Sequence, residues 1–202
     1  MIQTKVTSTN ISELINSYFP NISKEDIACF LEICQHKYCK NKEILVKPES
    51  KTRTFAFIIS GVIRGYLIDI KGEEKNFFLR PEGSFVGSPN HLISNNPSKY
   101  TFESVLESEI LLFDMEDFEK LTIDKPALFQ ILIWGLKNTL QTVIYRIESM
   151  IENLPEERYK DLLNKSPIFF QKVFNKHIAN YLGITPVSLS RIIKRAKEAP
   201  HN

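Results

Sequence analysis

The stretch from residue 175 to residue 195 leaves a folding chain few choices. Ile178 and Leu182 fall on one face of a short helix, and Leu189 and Ile192 fall on one face of a second, so the two faces can close on each other. Ala179 lets the two backbones approach, and Gly183 stands where a steep turn between helices needs a residue that tolerates positive φ. Thr185 is a good N-cap. Pro186 then takes the first helical position, where its missing N–H costs nothing. The outward face of the second helix carries Val187, Ser190, Arg191, Lys194 and Arg195, with almost no acid to oppose them. This is the pattern of a helix-turn-helix, whose second helix enters the DNA major groove while the rest of the unit grips phosphates. An ordinary surface hairpin of helices is the competing reading, but it needs neither the glycine turn nor the cationic face.

Charge is distributed to match. The chain has 202 residues and a formal net charge of only +2. Residues 171–202, however, hold Lys172, Lys176, Arg191, Lys194, Arg195 and Lys197 against the single acid Glu198. A basic end on a mildly acidic body suits a module that binds a polyanion, here a nucleic acid. The hydrophobic content of 43% excludes a disordered tail and supports one large or two modest cores. No charged start followed by an apolar run opens the chain, and no segment is long enough to span a bilayer, so a cytoplasmic protein with no membrane partner is expected. Cys29, Cys34 and Cys39 are odd in number and crowded together, which argues against a secreted disulfide framework. No carboxylate pair near a His, no phosphate loop and no Ser-His-Asp order stands out, so no enzyme is expected.

In chain order, residues 9–36 read as helical, with Ser23 opening one helix and Ile27, Phe30, Leu31 and Cys34 at core spacing. Strand-like runs follow at 43–46, 54–59, 62–69, 74–79, 84–86, 99–106 and 109–113, which suggests a sandwich or barrel. Ser60-Gly61 and Lys71-Gly72 read as hairpin turns, and residues 95–98 as a longer loop. Asp114 and Asp117 open a short helix through about residue 122. A helix from about 126 to 153 is apolar on two stripes: Leu136, Leu140, Val143, Ile147, Met150 and Leu154 on one, Phe129, Ile133, Ile144 and Ile151 on its neighbour. One stripe can pack on the barrel and leave the other for a second copy of the chain; a single helix buried in a monomer core is the alternative. Pro155 breaks this helix and marks a hinge at 153–155, and a further helix over 156–163 leads into the helix-turn-helix.

Barrel, long helix, break and helix-turn-helix in this order resemble the Crp/Fnr family of bacterial transcription regulators. The residues that carry the resemblance are Ile178 to Pro186 with Leu189 to Ile192, Ile59 to Arg64, the hairpin around Gly72, Gly83 to Gly87, and Leu154 to Arg158. The resemblance implies an α+β chain with three parts. These are a cyclic-nucleotide-binding-like sensor barrel of double-stranded β-helix or jelly-roll type over 1–124, a dimerisation helix over 125–153, and a helix-turn-helix domain over 154–202. Double-stranded DNA, a second copy through the long helix, and RNA polymerase are the partners it implies.

The family's cyclic-nucleotide binders place a Glu just after a Phe-x-Gly segment and an Arg-Ser pair about ten residues on. Here Gly87 is followed by Ser88, the later pair reads Ser98-Lys99, and no Arg occurs between Pro81 and Tyr145. A lysine meets phosphate as a point charge rather than a bidentate fork, so Gly87, Ser88, Ser98 and Lys99 form a weak cradle and a different small ligand, or none, is expected. Some family members hold an iron–sulfur cluster on N-terminal cysteines. Cys29, Cys34, His36 and Cys39 would have to converge from different faces and elements to do so, and His91 stands alone as a haem ligand, so no cofactor is expected. At the DNA end, Thr185, Pro186, Val187, Ser190 and Arg191 correspond to base-facing positions. Pro186 and Val187 offer only apolar contact, which leaves Arg191 as the strong base reader, while Lys176, Ser188, Lys194 and Arg195 suit phosphates. The expected function is a homodimeric regulator that binds a two-fold symmetric operator under control of a signal at the barrel. Two rivals stay open: a ligand-binding or protein-docking module whose helix-turn-helix does not bind DNA, and a constitutive regulator with an empty barrel.

Overall fold

Strands that alternate their side chains between two faces bury one face against a second sheet and leave the other for helices. The structure, a computed structural model, describes residues 8–94 and 96–198. Predicted features before residue 8, at Asn95 of the 95–98 loop and after residue 198 lie outside the described residues. One sheet orders β1 (Gln35–Cys39), β8 (Ser108–Asp114), β3 (Thr54–Ser60) and β6 (Phe85–Gly87); the other orders β2 (Ile44–Val46), β7 (Thr101–Ser104), β4 (Val62–Ile68) and β5 (Glu74–Pro81). All pairings are antiparallel, giving the jelly-roll barrel that the resemblance implies.

Alternation along β3 shows how the layers are made. Ala56 and Ile58 point between the sheets with Ile63, Phe102 and Ile110. Phe55 and Phe57 point outward, where α1 (Ser8–Tyr18), α2 (Lys24–Glu32) and α4 (Met115–Asp124) cover them. The helical reading of residues 9–36 is corrected in two places. Pro20, which cannot donate a backbone hydrogen bond, separates α1 from α2, and Ser23 caps α2 by accepting from the Asp26 N–H at 3.0 Å. The helix then stops at Glu32, so Cys34 lies beyond it and His36 lies in β1. That strand, Gln35 to Cys39, has no β-branched residue and no apolar alternation; pairing with β8 makes it a strand.

A 3-10 turn at Pro126–Leu128 leads into α5 (Phe129–Glu152), whose length of 24 residues spans the molecule. Its rotation also corrects the two-stripe reading, since neither stripe packs whole. Trp134 stands edge-on to Phe19 and Phe85 at 5.4 and 5.9 Å, and with Leu128 and Ile131 it turns a different face to the barrel. The exposed row is Ile133, Leu136, Leu140, Ile144, Ile147 and Ile151, drawn from both stripes, with Leu140 at 60% and Ile151 at 79% exposure. Steps of three and four along this row are those of a coiled-coil seam. Beyond Asn153 come α6 (Pro155–Lys165), α7 (Pro167–Lys172), α8 (Asn175–Tyr181) and α9 (Pro186–Glu198), with α3 (Pro89–Ile93) a short turn after β6. Among the described residues no helix is long and apolar enough to cross a membrane.

Candidate nucleic-acid interface and sensor cavity

The four apolar positions that define the helix-turn-helix close as expected: Ile178, Leu182, Leu189 and Ile192 are all buried, with Ala179 between α8 and α9. Gly183 adopts a φ of +70°, which a side chain would resist. Thr185 accepts from the Ser188 N–H at 3.1 Å, so α9 starts at Pro186 with a side-chain cap. Its hydroxyl also meets that of Ser188 at 2.9 Å, which engages Ser188 within the cap.

The outward face of α9 remains open. Pro186, Val187, Ser190, Arg191, Lys194 and Arg195 are exposed, as is Lys176 at the start of α8. Ser190 spends its hydroxyl on the Pro186 carbonyl at 3.0 Å. Lys194 lies 3.8 Å from Glu198, and Arg195 is paired with Glu156 of α6. Among the described residues Arg191 and Lys176 make no ion pair, so both present full charge to solvent. Arg195 must trade Glu156 for any phosphate, a contact that solvent screening already weakens.

The helix-turn-helix does not hang free of the barrel. Its cluster runs on into Val62 and Leu79 of the second sheet and Val105 just after β7. The backbone N–H of Asn76 in β5 donates to Asn180 Oδ1 at 2.6 Å, Asn180 Nδ2 returns a bond to the Glu74 carbonyl at 2.6 Å, and Asn76 Nδ2 donates to the His177 carbonyl at 3.0 Å. Arg146 of α5 ties the same place together, donating to the Phe77 carbonyl at 2.7 Å and the Tyr181 carbonyl at 3.0 Å. Nothing in the sequence pairs Asn76 with Asn180, because polar residues of this kind read equally well as solvated surface.

His177 carries a pH consequence. Burial holds its pKa down at about 4, with Arg64, Lys176 and Lys42 acting in the same direction and Glu74 opposing them. The folded ring is therefore neutral where the unfolded one, with its ordinary value of 6.5, takes up a proton. Its contribution to stability is complete above pH 6.5 and is lost as the pH falls towards 4. Melting temperature is expected to drop between pH 7 and pH 5 by more in the wild type than in His177→Asn. Equal drops would mean that the ring does not matter.

The second candidate site lies between the barrel and α5, where a cavity of about 630 Å³ opens against the inner ends of β5 and β6. Of the four residues proposed as a ligand cradle, Gly87 lies on its wall, and a Cβ there would collide with the Phe55 ring. Ser88, Ser98 and Lys99 do not line it: Ser98 bonds the Tyr100 carbonyl at 2.9 Å, Ser88 is fully buried and Lys99 points to solvent. The buried cation that reaches the cavity is Arg80, near the end of β5. A search for arginine after the Phe-x-Gly segment misses it, since Arg80 precedes that segment and arrives from a different strand. The cysteines do not converge. Burial alone raises the Cys34 thiol to about 12, Cys39 is buried in the barrel, and His36 Nε2 meets Glu109 at 2.6 Å. Among the described residues no three His, Cys, Asp or Glu side chains gather as a metal ion would need.

Barrel, long helix and helix-turn-helix thus define a sensor-like barrel joined to a nucleic-acid-type motif, and known proteins agree. Residues 36–124 match the cyclic nucleotide-binding domain family. The probable transcriptional regulator flp of Lacticaseibacillus casei is 20% identical over 192 residues, which is 89% of this chain and 84% of its own. Among solved structures, FixK2 of Bradyrhizobium japonicum superposes with a TM-score of 0.70 at 14% identity, over 82% of this chain and 85% of its own. The c-di-GMP-responsive global regulator CLP of Xanthomonas campestris gives a TM-score of 0.69 at 15% identity, over 89% and 96%. These two share the fold. With the barrel match, the similarity to a probable transcriptional regulator runs over most of both chains.

Proposed function

We propose that the protein is a homodimeric, sequence-specific DNA-binding regulator, with residues 1–124 sensing, 125–153 pairing two copies, and 154–202 contacting DNA. The observation that supports it most is the open cationic face of α9 on a closed and capped helix-turn-helix, with Arg191 unpaired among the described residues. A surface hairpin has no use for such a face, whereas DNA supplies both phosphates and guanine edges for it. The exposed seam of α5 supports pairing with a second copy, which would set two recognition helices on half-sites about one helical turn apart. The barrel cavity favours a sensed regulator over a constitutive one.

The test is selection of bound duplexes from a random pool at two salt concentrations. A palindrome should emerge, and affinity should fall steeply with salt because each neutralised phosphate releases counterions. Arg191→Ala should cost about 1–3 kcal/mol at the selected site and relax one base position. Equal loss on all sequences would reduce Arg191 to a phosphate contact, and no selected sequence with the intact protein would count against the whole reading.

A further inference from the structure

We infer that the barrel cavity takes a largely apolar molecule bearing a single carboxylate, with the carboxylate on Arg80. The inference rests on the proposed role of the barrel as sensor, and it concerns the chemistry of what is sensed.

The lining sets the body of the ligand. Apart from Arg80, Lys137, Thr139 and the hydroxyl end of Tyr100, every residue around the 630 Å³ is apolar. Phe55, Phe77, Phe85 and Phe102 make much of it aromatic. Such a wall gives few partners for the hydroxyls and ring nitrogens of a nucleoside, most of which would lose their water on entry. An alkyl chain or an arene loses nothing and gains contact along its whole length.

Arg80 sets the head. It is 4% exposed, and among the described residues no carboxylate pairs with it. Its Nη1 donates to Asn138 Oδ1 at 3.2 Å and to Thr142 Oγ1 at 2.8 Å, both neutral groups on α5, while Nη2 is buried with no hydrogen-bond partner. A buried cation without a counter-charge is expensive, and a buried donor without an acceptor adds to the cost. An anion entering the cavity removes both penalties at one atom. Burial also disfavours the charged form of Arg80 in the absence of an anion. Lys137 is exposed at the rim, so it can attract an acid but does not bury with it.

The position of Arg80 couples this site to the DNA end. Strand β5 carries Arg80 near one end and, four residues earlier, Asn76, which holds α8. Phe77, whose carbonyl accepts from Arg146, also lines the cavity. A carboxylate on Nη2 pulls the Arg80 guanidinium against the bonds that Nη1 makes to Asn138 and Thr142, which changes how β5 sits on α5, and α8 is bonded to both.

Trp134, the chain's single tryptophan, stands edge-on to Phe85, which lines the cavity, and through that contact reports occupancy without any DNA. The experiment titrates the full-length protein with decanoate, 3-phenylpropanoate, the two matching alcohols and cyclic AMP, reading Trp134 fluorescence and checking each by calorimetry. At least one acid should bind roughly tenfold or more tightly than its alcohol, the size of one bond to a charged group. Which acid wins separates an aliphatic from an aromatic source. Arg80→Gln should abolish the preference for acid over alcohol while leaving alcohol binding in place. The inference is overturned if the alcohols bind as well as the acids, if neither acid binds, or if cyclic AMP binds more tightly than both. The wild-type acid and alcohol comparison decides even if the variant fails to fold. DNA binding is measured separately on the same protein. Acid binding without DNA binding would sink the regulator reading alone, and DNA binding without acid binding would sink this one alone.

Discussion

Arg64→Met is expected to cost about 3–5 kcal/mol of folding stability, because it leaves a carboxylate buried with no cation to answer it. Arg64 lies on β4 at 4% exposure, and its Nε donates to Glu103 Oε1 at 3.1 Å. Its Nη1 reaches Glu74 Oε2 at 2.6 Å and Asn76 Oδ1 at 3.3 Å, and the guanidinium lies 4.0 Å from the Tyr66 ring centre. The two carboxylates differ in what they lose. The Glu74 side chain is 47% exposed and would return to water at little cost, whereas Glu103 is 11% exposed on the central strand β7. The penalty therefore sits with Glu103. Urea unfolding followed through Trp134 measures it, and the double variant Arg64→Met with Glu103→Leu should recover most of the loss, since an apolar pair needs no counter-charge. A single-variant loss below about 1 kcal/mol would show that Glu103 reaches water after all. Asn76 also loses a partner, so the grip of β5 on α8 should loosen in the same variant.

The local rules that sequence obeys reached different distances in this chain. Thr185, Pro186 and Gly183 each do one local job, and the structure has a cap, a helix start and a positive φ where those residues stand. Core spacing at Ile178, Leu182, Leu189 and Ile192 was legible because a helix repeats every 3.6 residues whatever surrounds it. Strand β1 was not legible, since its five residues owe their conformation to β8, about seventy positions away in the chain. The rotation of α5 was equally hidden: two apolar stripes satisfy the same periodicity, and only the fit of Trp134 between Phe19 and Phe85 chooses between them. The cavity belongs to this second kind. Arg80 looks like one more surface cation until β5 closes the barrel and α5 covers it with two neutral partners and no acid.

Leu189→Ala should separate folding from DNA contact on a single helix. Leu189 is fully buried where α9 closes on α8, and its cluster continues into Val62 and Leu79 of the barrel. Deleting three buried carbons there should cost about 2–5 kcal/mol, since the neighbours on the barrel side belong to a sheet and cannot collapse into the gap. The loss falls on the helix-turn-helix and its seat on β5. Helical circular dichroism should therefore decline at a lower temperature than the Trp134 signal, which reports the far side of the barrel. DNA affinity should fall with it, because a recognition helix that is not held cannot be positioned in a groove. Val187, two residues earlier on the same helix, is 60% exposed and gives the opposite signature. Val187→Ala should leave stability within about 0.5 kcal/mol of the wild type and change only the affinity for sites with a thymine methyl at its position. If Leu189→Ala keeps both the melting temperature and the DNA affinity of the wild type, α9 is not seated as described. If Val187→Ala alters the melting curve as Leu189→Ala does, the face assigned to DNA is instead buried.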